Sequence, residues 1–265
     1  MISEIFSDIL IPNWHVILLF FVIAVLYSSV GFGGGSSYLA ILALTGITFT
    51  QIRSTALLCN IVVVLGNVVL FQKQKLYDWK KVIPIVVFSV PLAFVGGYLK
   101  ISQHFFYVLL GFTLLFAAFT MWISKKVTSK TQKGHKLSLK KNASYGGIIG
   151  FISGMVGIGG GIFLAPLLHL THWDRPKKIA ATASIFILAN SISGFFGQYF
   201  NPTSSMDWNL TGVLLITVFI GGQIGSRMSQ RYFTPIQLKR ATALLIAFVS
   251  IRILWRYLVG INVAM

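Results

Sequence analysis

Apolar residues run along this chain in long blocks separated by short polar breaks, and neither the alternation of a half-buried strand nor that of an outer-membrane barrel appears. The blocks 14–29, 36–44, 52–71, 82–99 and 104–123 form a first series. The blocks 143–155, 162–170, 179–200, 209–225 and 235–258 form a second. Each series opens with two shorter blocks that flank a glycine run. The first run is Gly31-Phe32-Gly33-Gly34-Gly35-Ser36-Ser37 and the second is Gly157-Ile158-Gly159-Gly160-Gly161-Ile162-Phe163. About thirty residues beyond each lies an Asn inside an apolar block, Asn60 and Asn190. Asp78-Trp79 is answered by Asp207-Trp208, and Gly96-Gly97 by Gly221-Gly222. The pattern predicts an all-α polytopic membrane protein of two related halves, each a glycine-broken helical hairpin followed by three transmembrane helices.

Composition agrees. Hydrophobic residues are 55% and charged residues 10% of the 265, far below the roughly 25% charged share of soluble domains. The polar segment 124–142 carries seven lysines (Lys125, Lys126, Lys130, Lys133, Lys136, Lys140 and Lys141) and no acid. It divides the chain into a first repeat, 1–123, and a second, 143–265, and the positive-inside bias makes it cytoplasmic. Counting spans outward from it puts corresponding loops of the halves on opposite sides, which is an inverted-topology repeat, with the N-terminus external. The block 143–155 has about twelve residues, and at about 1.5 Å each it reaches only about 18 Å. That predicts a hairpin turning near mid-membrane. Two thin full spans are the other reading, and the depth of the glycine tips stays open.

The chemistry is that of an anion handler. The net charge is +17, from 22 Lys and Arg against 5 Asp and Glu. Scattered over membrane loops, this charge serves topology and lipid attraction and does not resemble a nucleic-acid face. None of the five acids lies within an apolar block, so a cation substrate and a carboxylate proton relay both lack a residue. Helix breaks inside a bilayer must be packed in protein or line a cavity. A helix restarting at each glycine run presents free N–H groups and the positive end of its dipole, an anion site that needs no lysine. The candidate binding residues are therefore Gly33, Gly34, Gly35, Ser36, Ser37, Gly159, Gly160 and Gly161. The amides of Asn60 and Asn190 add two-donor groups, and the Arg53 guanidinium is a bidentate ligand or entry residue unless it snorkels to the outer interface. The competing reading of the glycines is tight helix packing, and that of the asparagines an interhelical hydrogen bond. Cys59 is the only cysteine. No metal-ligand set, no cofactor motif and no catalytic constellation stands out, so an enzyme is not expected.

The two glycine motifs with their Asn-bearing helices resemble the TauE/SafE family of sulfite exporters. The resemblance rests on residues 31–37 with 53–60 and on 154–166 with 182–194. It implies a transporter or facilitator of a small sulfur-containing oxyanion, sulfite or a simple organosulfonate, in a bacterial cytoplasmic (inner) membrane, working as an exporter by alternating access.

 The partners implied are a small anion and the bilayer, and self-association into a homo-oligomer is left open. An anion channel with the same site is the nearest alternative. A membrane subunit or enzyme of sulfur metabolism is a more distant one. One departure is internal: Ser36-Ser37 of the first motif stands where the second has Ile162-Phe163.

Overall fold

The computed structural model describes residues 11–123, 139–171, 173–201, 206–228 and 235–258. Among the described residues ten helices follow one another: α1 (Ile11–Ser29), α2 (Gly35–Leu42), α3 (Phe49–Lys73), α4 (Trp79–Tyr98), α5 (Gln103–Ile123), α6 (Leu139–Val156), α7 (Gly161–Leu170), α8 (Pro176–Tyr199), α9 (Trp208–Met228) and α10 (Pro235–Leu258). No strand occurs among the described residues. Six helices (α1, α3, α4, α5, α8 and α9) are long and apolar enough to cross a bilayer. Most of the 124–142 linker lies outside the described residues.

One boundary differs from expectation in a way that matters. The arm before the second glycine run starts at Leu139, four residues before the apolar block, and has 18 residues. At about 1.5 Å per residue it is about 27 Å long, not about 18 Å. Apolarity marks where a helix is buried, whereas backbone hydrogen bonding carries it on through polar residues. The two arms α1 and α6 are thus nearly equal in length, and α2 and α7 are the short members of their pairs.

The packing keeps its form when the halves are exchanged. α4 lies along α6 and α9 lies along α1, while α3 crosses α8 and α5 pairs with α10. Glycines set these contacts. A Cβ on Gly150 would sit 2.6 Å from the Ser89 carbonyl oxygen, and Gly146 and Gly154 face the Ile85 and Ala93 carbonyls in the same register. On the other side, Gly221 meets Phe21 and Gly225 meets Val25. Small residues let helices approach to backbone contact where lipid supplies no hydrophobic drive. Close helix packing thus accounts for these helical glycines. Phe112, Phe116, Phe119, Ile216, Phe219 and Phe248 point outward, as a lipid-facing surface requires.

Candidate functional site

Each break is made by backbone that only glycine adopts without strain. Gly31 and Gly34 have φ of 88° and 85°, and Gly157 and Gly160 have 91° and 81°, so the two runs match position for position. Gly159 adds a fifth such angle at 80°, whereas its counterpart Gly33 does not. Gly34 is the left-handed N-cap of α2 and Gly160 that of α7, and neither cap uses a side chain. The N–H groups of the first two residues of α2 and of α7 have no intrahelical acceptor and a glycine cap offers them no side chain, whereas the third, of Ser37 and of Phe163, already donates to the Gly34 and Gly160 carbonyls.

The two tips meet. The Cβ position of Gly35 is 2.7 Å from the Ile158 carbonyl oxygen, so the first tip lies directly on the second. Between them is the amide of Asn60. Its Nδ2 donates to the Ile158 carbonyl at 2.8 Å, and the same amide faces Gly33, Gly35 and Gly159, none of which has room for a Cβ beside it. α3 of the first half thus holds the second tip. α8 of the second half holds the first tip, through the Ser184 hydroxyl, which donates to the Gly31 carbonyl at 2.7 Å. The exchange of roles is symmetric, yet the residues that fill them are not.

Asn190 shows the difference. It is fully buried, but its Nδ2 donates to the Phe186 carbonyl of its own helix at 2.8 Å instead of crossing to a tip. The neighbouring Ser191 takes the place beside Gly159, 2.6 Å from that residue's Cβ position, and its Oγ has no partner among the described residues. Asn60 Oδ1, Ser153 Oγ beside Gly160, and the Tyr38 hydroxyl are likewise buried without a partner there. Ser153 and Tyr38 were not among the residues singled out from sequence. Tyr38 follows the candidate serines within α2, and Ser153 precedes the second glycine run, but nothing in their types sets them apart from packing residues. Ser36 and Ser37 are buried, and Ser37 Oγ pairs with the Tyr27 hydroxyl at 2.9 Å.

Arg53 is the one charged side chain buried among the described residues, at 2% exposure, so it does not snorkel to an interface. Its backbone supports the second tip, with the Cβ position of Gly157 3.0 Å from the Arg53 Cα. Its guanidinium turns away to the carbonyls of Gly96 and Gly97 near the end of α4 and of Gly154 near the end of α6, at 3.4–3.5 Å. Helix C-termini carry unpaired carbonyls and the negative end of the dipole. Two such ends from different halves therefore neutralise Arg53 without any carboxylate. Gln198 joins them, donating to the Gly154 carbonyl at 3.3 Å and accepting from Ser54 at 3.0 Å.

No group of three or more metal-ligating side chains occurs among the described residues. Asn60, Gly33, Gly35 and Gly159 form one contact cluster with Ser191 at its edge, while Arg53 and Asn190 have turned their polar groups elsewhere.

The sequence matches the family model described as sulfite exporter TauE/SafE over residues 16–253. It is 32% identical over 247 residues to a probable membrane transporter protein, y4hK, of Sinorhizobium fredii, a match covering 89% of this chain and 96% of that one. It is 23% identical over 198 residues to the probable membrane transporter protein YunE of Bacillus subtilis, covering 68% of this chain and 72% of that one. It is 24% identical over 233 residues to the probable membrane transporter protein MJ0441 of Methanocaldococcus jannaschii, covering 81% and 85%. No solved structure matches the chain.

Proposed function

This chain belongs to the TauE/SafE family and is a multi-pass membrane protein of transporter type, and from that premise we propose that it moves a small sulfur-containing oxyanion, sulfite or a simple organosulfonate, across the cytoplasmic membrane. The observation that carries the reading is the meeting of two glycine-capped helix N-termini around the Asn60 amide, in a core without a buried carboxylate among the described residues. An oxyanion between the tips takes hydrogen bonds from the bare N–H groups of α2 and α7 and from the Ser191 hydroxyl. Asn60 releases the Ile158 carbonyl to turn its Nδ2 to the anion. Small anions suit such a site because helix ends supply partial charge with little desolvation cost.

In this reading the halves 1–123 and 143–265 are inverted repeats joined by a cytoplasmic linker, and access alternates as one bundle moves against the other. Two pairings support it. The equivalent helices α3 and α8 run antiparallel, with Ser54 beside Gln198 and Leu57 beside Gly194. So do α5 and α10, with His104 against the Tyr257 carbonyl and Gly111 against Leu254. A membrane potential negative inside drives anion export by about 2.3 kcal/mol per charge per 100 mV, so export needs no carboxylate relay.

The test is sulfite flux and binding in purified, reconstituted protein. Asn60→Asp is nearly isosteric but replaces the donor to the Ile158 carbonyl by an anionic acceptor, so it abolishes sulfite binding, and size-exclusion chromatography separates that loss from misfolding. Ser191→Ala raises the sulfite Kd roughly tenfold, the factor that corresponds to about 1.4 kcal/mol. Unchanged sulfite affinity in both variants would overturn the site.

A further inference from the structure

A cavity of about 650 Å³ opens at the end of the bundle away from the linker, between the α2–α3 turn, the α4–α5 turn and the last turns of α10. We propose that it is a second anion-binding site, for an amphiphilic organic anion, separate from the glycine tips.

Its place follows from the chain. α5 starts at Gln103 and runs toward the linker that follows it, so its start is the far end. The end of α10 lies against that start, His104 Nε2 being 2.9 Å from the Tyr257 carbonyl oxygen. The cavity also meets Ala43 and Leu44, just past the end of α2, whose first residue touches the tip site. Eight residues of helix put about 12 Å between the two.

Three cations, Lys100, Arg252 and Arg256, line the cavity, and no carboxylate lines it among the described residues. Membrane proteins concentrate Lys and Arg on the cytoplasmic side, and the Lys-rich linker marks the opposite end of this bundle. Topology therefore accounts for the linker lysines but not for three cations converging here. Beside them stands an apolar wall. The Tyr107 and Tyr257 rings stack with centroids 4.5 Å apart and planes 15° apart, Arg256 lies 6.0 Å from the Tyr257 ring, and Phe49 completes the side. The volume falls in the range of about 300–1,000 Å³ that holds organic ligands, well beyond what a bare oxyanion fills. The anionic head binds Lys100 and Arg256 through charge-assisted hydrogen bonds, and the apolar body lies on the aromatic wall. Such a head and body belong either to a free organic anion or to an anionic lipid.

The experiment uses the full chain in neutral detergent, titrated calorimetrically with hexanoate, a carboxylate outside the sulfur oxyanions proposed for the tips, with hexanol as the uncharged control. Wild type binds hexanoate and not hexanol. Lys100→Gln with Arg256→Gln raises the Kd at least about tenfold, Arg256→Lys keeps binding, and Asn60→Ala leaves it within about twofold because the tips are not involved. Native mass spectrometry after reconstitution separates the sources. If the natural occupant is lipid, wild type retains phosphatidylglycerol over phosphatidylcholine, the double variant does not, and hexanoate displaces it. If the occupant is a free anion, hexanoate binds with no lipid retained. An unchanged Kd in the double variant, loss of hexanoate binding in Asn60→Ala, or a wild type that takes up neither ligand overturns the proposal.

Discussion

At the scale of single residues, Asn60 and Arg53 do different work from what their types suggest. Asn60 ties the tip of one half to the central helix of the other, so its loss unlocks the tips as well as removing a ligand. Arg53 is a buried cation whose counter-charge is a set of helix-end carbonyls. Its hydrogen bonds are long, 3.4–3.5 Å, and each is weak, but Gly96, Gly97 and Gly154 share them. Arg53→Met should lower the thermal midpoint of the purified protein by an amount equivalent to about 1–3 kcal/mol, since those carbonyls lose their buried donor. Circular dichroism melts check this, and an unchanged midpoint would mean that the carbonyls find other partners. The glycines predict a sharper outcome. Gly160→Val combines left-handed backbone with a Cβ 2.7 Å from Phe186, so little folded protein accumulates on size-exclusion chromatography. Glycine substitutions at the tips therefore report on folding, Asn60→Asp also breaks the bond to the Ile158 carbonyl, and Ser191→Ala, whose hydroxyl has no partner among the described residues, is the cleaner probe of binding.

At the scale of elements, the start of α4 and the loop before α8 are locked across the halves. The Lys81 ammonium is 2.7 Å from Asp174 Oδ2 and 3.8 Å from Asp78 Oδ2, and it lies 5.1 Å over the buried Trp173 ring. Partial burial opposes ionisation of Asp174, but the Lys81 hydrogen bond, the Arg175 backbone N–H and the charges of Lys81 and Lys178 outweigh it and hold the carboxyl below its usual range. A carboxyl depressed in the folded state stabilises the lock above its unfolded pKa of about 3.9, and that contribution is lost as pH falls through the lower folded value. Amide protection factors in 173–178, with the intrinsic exchange rate at each pH divided out, should therefore be high at pH 7 and fall as the pH drops below about 3.9, and Asp174→Asn should show the low values throughout. The acids that begin α4 and α9 divide in the same way as the asparagines. Asp207 caps α9, accepting from the Asn209 and Leu210 N–H groups at 2.9 and 3.3 Å. Asp78 occupies the N-cap position of α4 but makes no cap bond, its carboxylate being turned to Lys81.

For the whole molecule, the glycine-lined contact between α4 and α6 is the broadest junction of the two halves. Gly150→Leu would drive a side chain into the Ser89 backbone, which packing cannot absorb without separating the helices. The expected result is a sharp fall in the yield of monodisperse protein, measured by fluorescence-detected chromatography, against a normal yield for Gly212→Leu, whose Cβ position meets nothing within 4 Å.

The amino-acid order alone determined that this chain is a helical membrane protein and where the two helices break. Those properties are local: apolar length sets a span, and only glycine takes φ near +85° without strain. The tertiary structure alone decided that the tips touch and that Asn60 crosses between them while Asn190 turns back to Phe186. It also decided that Ser191 stands beside Gly159 and that Arg53 finds its counter-charge on helix ends. A hydrogen bond depends on distances of a few tenths of an ångström between residues far apart in the chain. Asn60 and Asn190, each following a glycine run, therefore take different partners because their surroundings differ, and no local pattern records that choice.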